Sequence, residues 1–176
     1  NTMPAPYYRF DGSDDYIEIS ADANLELDQA ITVAMWVQTS VDDDQSFMDK
    51  NGNDYLLVQY DSDNGLFTWY TSTVGGTNSL KSIIAYNDGK WHHLVGTYDA
   101  SASGNNKKIY VDGVLVNETN SATGVIDTSG GIVAIGTESG KSSYWVDGQI
   151  SDAKIFNKAL TAPEVKELYS GASVPF

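Results

Sequence analysis

The chain has no cysteine, which removes disulfides and thiolate metal sites from consideration. It has no stretch of about eighteen apolar residues, so no membrane-spanning helix is expected. The N-terminal NTMPAPYYRF lacks the charged and apolar regions of a signal peptide, and position 1 is not methionine. The chain therefore reads as an excised module or a mature product. Cationic residues are scarce: 10 Lys and Arg stand against 24 Asp and Glu, a net charge of −14. Nucleic acid and anionic membrane both require basic patches, and both are excluded as partners. Neutral sugars and divalent cations remain compatible with such a surface, as does acidity that serves only solubility.

The remaining composition suits one domain with a sizeable core: 176 residues, 41% hydrophobic. The clearest local signal lies between Trp91 and Val116. There Asp112-Gly113 separates the alternating runs Ile109/Val111 and Val114/Val116, the pattern of a hairpin closed by a type I′ turn. Further strands are expected over 7–10, 16–19, 31–39, 55–60, 66–71, 80–85, 91–98, 131–136 and 144–156, joined by Gly/Asn/Asp turns. Residues 72–79, rich in Gly, Thr, Ser and Asn, are expected to form a loop. One helix is expected, opened by the capping box Thr161-Ala162-Pro163-Glu164 and stopped at Gly171. Many short strands at regular spacing indicate an antiparallel sandwich rather than βαβ units.

Five blocks, in order, carry a resemblance: Phe10–Ile17, Ile31–Val37, Asp88–Tyr98, Ile109–Val116 and Gly148–Leu160. Together they resemble the concanavalin A-like lectin/glucanase superfamily, in its laminin G-like bacterial branch. The resemblance implies an all-β jelly roll over residues 1–176, with two antiparallel sheets, one convex and one concave, and a short C-terminal helix. It also implies a binding or adhesion module belonging to a larger secreted or cell-surface protein.

Enzymatic activity is not expected. Glycosidases on this fold place two carboxylates along a concave strand, whereas residues 55–60 and 66–71 contain neither Asp nor Glu. A lyase would need an Arg, His and Tyr set, and Arg9 in a terminal strand is the only arginine. His92 and His93 are adjacent on a strand, point to opposite faces and cannot chelate one ion together.

Stacking aromatics with short polar neighbours are the means of sugar recognition. The candidates for ligand binding are Trp69, Tyr70, Tyr60, Gln59, Tyr86 and Asn53. Calcium is the metal considered, because oxygen ligands abound. By the resemblance, one ion would tie the terminal strands together through Asp11, Gly12, Asp15 and Asp152. A second would sit on the rim with Asp54 and Glu138. The expected function is a non-catalytic carbohydrate-binding module, stabilised by calcium, whose partner is a polysaccharide or glycan. An adhesion or spacer domain is the alternative.

Overall fold

The computed structural model describes residues 6–52, 54–59, 62 and 64–171. Asn53 and Tyr60 lie outside the described residues. Two six-stranded antiparallel sheets and one short C-terminal helix make a jelly-roll sandwich. The first sheet runs β1 (Tyr8–Asp11), β12 (Asp147–Phe156), β3 (Ala30–Gln38), β8 (His92–Asp99), β9 (Lys107–Val111), β10 (Val114–Thr119). The second runs β2 (Ile17–Ile19), β11 (Val133–Ile135), β4 (Gln45–Lys50), β5 (Tyr55–Gln59), β6 (Phe67–Thr73), β7 (Gly76–Lys81).

The hairpin between β9 and β10 forms as its sequence requires. Asp112 and Gly113 adopt φ of 52° and 76°, the left-handed pair of a type I′ turn. Strand β3 is buried on both faces. Its Val33, Met35 and Val37 enter the space between the sheets, against Leu57, Phe67 and Trp69. Its Ala34 faces the opposite way and joins Val95, Tyr110 and Phe156 beneath the helix α1 (Ala162–Tyr169), which contributes Val165 and Leu168. Glu164 fastens the start of that helix by accepting a hydrogen bond from the Thr161 amide at 2.7 Å.

Two strands differ from expectation: β4, over residues 45–50 where none is expected, and β7. Residues 76–81 form β7, pairing with β6 from Thr73↔Gly76 to Thr68↔Lys81. The chain turns at Val74-Gly75, and the polar run Gly76-Thr77-Asn78-Ser79 is an edge strand. An edge strand with one wet face needs no apolar alternation, so composition misrepresents it as a loop. Ile83 and Ile84, expected inside a strand, are 68% and 57% exposed after it.

Candidate functional site

Alternation along β5 and β6 divides the sequence-derived candidates between two faces. Trp69 lies on the inner face, fully buried, with Nε1 donating to the Thr97 carbonyl at 3.0 Å. The ring fills the notch at Gly96 so closely that a Cβ there would stand 2.3 Å from it. The buried Lys107 ammonium lies 5.7 Å from the ring centroid. Trp69 is thus a core residue, and its expected role as an exposed stacking platform is corrected. Gln59 is also buried; its Nε2 donates to the Val41 carbonyl at 2.8 Å and holds the 41–43 loop in place. Half-buried Tyr86 stacks on Phe67 at 5.7 Å and meets His92 edge-on at 5.1 Å. Both are packing residues of the sandwich end. Tyr70 alone among the described candidates points outward from the second sheet, half-exposed, opposite Leu56.

That outward face contains a cavity of about 260 Å³ lined by Ser46, Asp49, Leu56, Val58, Glu138 and Tyr144. Strand register brings Asp49 beside Leu56, and Leu56 beside Tyr70. Asp49 is only 2% exposed, and one carboxylate oxygen, Oδ2, accepts the Ser139 amide at 2.6 Å. Its Oδ1 has no partner, nor does the Oγ of buried Ser46. Buried polar atoms are nearly always satisfied in folded proteins, so two orphans lining one cavity point to a ligand. Burial raises the Asp49 carboxyl above the usual carboxylate range, and the nearby Glu138 charge adds to this against the hydrogen bonding from Ser139. Glu138 is held below its ordinary value because Ser142 and Ser143 hydroxyls donate to it, both at 2.7 Å.

Sequence reasoning missed Asp49, Ser46 and Tyr144. The available signal is weak: a carboxylate that directly follows the apolar pair Phe47-Met48 and precedes Lys50.

The proposed rim calcium set does not assemble. Asp54 is buried beside the Lys50 ammonium, 3.4 Å away, and accepts the Ser129 hydroxyl at 3.0 Å. Lys50, fully buried, also pairs with Glu26 at 2.8 Å and donates to the Gly130 carbonyl at 2.5 Å. A lysine thus neutralises Asp54, while Glu138 belongs to the separate cavity around Asp49.

The terminal-strand set assembles in part. Strands β1 and β12 do pair, with Asp11 opposite Asp147. Asp152 lies five positions further along β12 than Asp147, about 16 Å at strand rise, and forms an ion pair with Lys154. It is excluded from the cluster. Asp14 takes its place: one oxygen each from Asp11, Asp14 and Asp15 lie within 4.8 Å of one another, all exposed. Internal bonds shape the turn, as the Ser13 amide donates to Asp11 Oδ1 at 3.0 Å and the Asp11 amide to Asp15 Oδ2 at 3.2 Å. Gly12 fixes the turn through its amide, which donates to the Val146 carbonyl at 2.9 Å. Three converging carboxylates offer the hard oxygen donors that a calcium ion takes.

The two histidines occupy different worlds. His93 is buried beside Trp36, and burial drives it down to about 4. His92 sits between Asp112 at 2.9 Å and Asp88 at 3.1 Å.

Comparison with known proteins adds the following. The Laminin_G_3 family model, of the concanavalin A-like lectin/glucanases superfamily, matches residues 11–166. "Sushi, von Willebrand factor type A, EGF and pentraxin domain-containing protein 1" of Rattus norvegicus is 26% identical over 92% of this chain, and that of Mus musculus 27%. The chain spans only 5% of the length of these curated relatives. A heptameric SAP-like pentraxin from Limulus polyphemus superposes with a TM-score of 0.68 at 15% identity, covering 96% of this chain and 84% of the other. The receptor binding domain of botulinum neurotoxin D gives 0.73 at 18%, covering 97% and 45%. No described helix is long and apolar enough to cross a membrane.

Proposed function

We propose that this chain, which belongs to the concanavalin A-like lectin/glucanases superfamily, is a non-catalytic carbohydrate-binding module that takes a glycan in the Asp49 cavity. The observation carrying this is the pair of orphaned polar atoms, Asp49 Oδ1 and Ser46 Oγ, lining a cavity beside Leu56 and Val58. Sugar hydroxyls can donate to the carboxylate and exchange hydrogen bonds with the serine. Tyr70 and Tyr144 supply aromatic surface against which the C–H face of a sugar ring packs. The acidity of the chain favours neutral over anionic saccharides.

The Asp11, Asp14 and Asp15 turn is the proposed calcium site of this module. Bound there, the ion would neutralise the carboxylates at the β1–β12 end. A secreted or cell-surface setting, within a larger protein, accords with the multidomain name of the curated relatives.

Affinity electrophoresis through neutral polysaccharides, with and without calcium, tests the reading. Retardation is expected on at least one of them, lost in Ser46→Ala and Tyr70→Ala. A chain that no polysaccharide retards is not a carbohydrate-binding module. A protein-adhesion role is the second reading, favoured by exposed Ile83, Ile84, Val114 and Leu115. They lie near the edges of β7 and β10, where Asn117 Nδ2 donates to the Lys81 carbonyl at 2.9 Å.

A further inference from the structure

The part of the first sheet that α1 leaves open carries a polar cleft of about 320 Å³, within the size range of small-molecule sites. Three strands build it. Arg9 pairs in register with Gln149, and Gln149 with Gln38, so the three planar side chains form one row on one face. Asp147 and Ser40 complete the lining. A second cavity of about 410 Å³ shares Gln38 and Gly89 and extends the cleft to Lys90 and Trp91. Tyr7, 42% exposed, stands edge-on to Trp91 at 5.8 Å.

The scaffold of the cleft is fixed, whereas the side chains of Arg9, Gln149 and Asp147 on its floor are not spent on that scaffold. Gln38 Nε2 donates to the Gly89 carbonyl at 2.7 Å. The Asp147 backbone is held on both sides, its amide donating to Gln45 Oε1 and its carbonyl accepting from Thr39 Oγ1, each at 2.9 Å. Among the described residues, the side chains of Arg9, the only arginine of the chain, Gln149 and Asp147 make no ion pair or hydrogen bond. An arginine left unpaired in a chain of net charge −14, beside a carboxylate it does not engage, calls for an explanation.

We propose that this cleft is a second saccharide-binding site, for a neutral oligosaccharide chain, on the sheet opposite the Asp49 cavity. A guanidinium donates, a carboxylate accepts, and two amides do both; this set matches the mixed donor and acceptor pattern of sugar hydroxyls. Tyr7, exposed and backed by the buried Trp91, gives the aromatic wall for a ring face. Asp147 in the cleft, with Asp11 opposite it in register, disfavours an anionic chain. The site takes the same ligand class as the Asp49 cavity but uses none of its residues. With both occupied, the module bridges two glycan chains, or two segments of one, and gains avidity.

The test is an amide NMR titration of the ¹⁵N-labelled chain with cellohexaose, laminarihexaose and mannohexaose, with an oligogalacturonate as the anionic probe. Shifts of the Gly89, Gly148 and Gln149 amides are expected with at least one neutral probe. Arg9→Ala weakens that response about tenfold or more, the loss of a charged hydrogen bond, and Gln149→Ala weakens it independently. Tyr70→Ala leaves it unchanged. Shifts confined to the Asp49 cavity overturn the second site and leave the proposed function standing. Shifts confined to the Arg9 cleft uphold the second site and overturn the Asp49 reading. Silence with every probe overturns both, and a response to oligogalacturonate alone overturns the neutral ligand class.

Discussion

Replacing Trp69 by alanine distinguishes a packing role from a binding role at one position. The indole is fully buried, its N–H satisfies the Thr97 carbonyl, and its ring lies against Gly96. Truncating such a side chain costs about 3–5 kcal/mol through lost burial and the cavity left behind. For a domain of this size each kcal/mol moves the melting temperature by about 2–4 °C, so a fall of roughly 6–20 °C is expected. Urea unfolding followed by tryptophan fluorescence and circular dichroism measures it, with a lower midpoint and an unchanged slope. At a temperature where the variant remains folded, polysaccharide retardation should match the parent chain. Tyr70→Ala, one residue away on the outward face, should show the reverse, with a stability change of about 1 kcal/mol or less and weakened retardation. If Trp69→Ala unfolds at the parent midpoint yet loses retardation, the assignment of faces is wrong.

Asp49→Asn keeps an oxygen to accept the Ser139 amide and removes a charge that burial disfavours; the variant should melt higher and bind glycan more weakly, as differential scanning calorimetry and affinity electrophoresis will show. His92 feels burial lowering its pKa, but the hydrogen bonds it donates to Asp112 and Asp88 outweigh this and hold it above the ordinary histidine value. Its charged form therefore stabilises the fold below about pH 6.5, and that contribution is lost as pH rises through the raised folded value. Urea midpoints measured across this range should show the decline in the parent chain and not in His92→Gln; parallel curves would refute the assignment. EDTA should lower the melting temperature, and Asp14→Asn should diminish that response, whereas Asp152→Asn should not. An unshifted transition in the parent chain, after metal analysis confirms removal, rules out calcium at this turn.

The β9–β10 hairpin was legible because turn chemistry is local: only left-handed conformers satisfy the two-residue connection, and Asp112-Gly113 declares them. The alternation of Trp69 and Tyr70 was equally legible. Which of the two faces the core was not, since period 2 divides residues into two sets without saying which set is covered. The same limit applied to Asp152. It adopts φ of 52° beside an irregularity in the β12–β3 register between Ser151 and Lys154, and no local residue pattern marks how far along β12 the Asp11 turn will dock. Asp49 carries no such local mark: it comes from β4, and pairing between strands rather than spacing within one brings it alongside Leu56.

The Lys50 cluster bears on how the module meets its surroundings. An acidic sandwich end can be neutralised by an ion borrowed from solution, whose occupancy rises and falls with supply. Here Glu26 and Asp54 share an ammonium carried on the chain itself. It is present at a fixed stoichiometry from the moment of folding, and no chelator can withdraw it. If the proposed calcium site at the Asp11 turn is correct, occupancy there would follow the supply of the ion, while the end built on Lys50 keeps its charge balance without a borrowed cation.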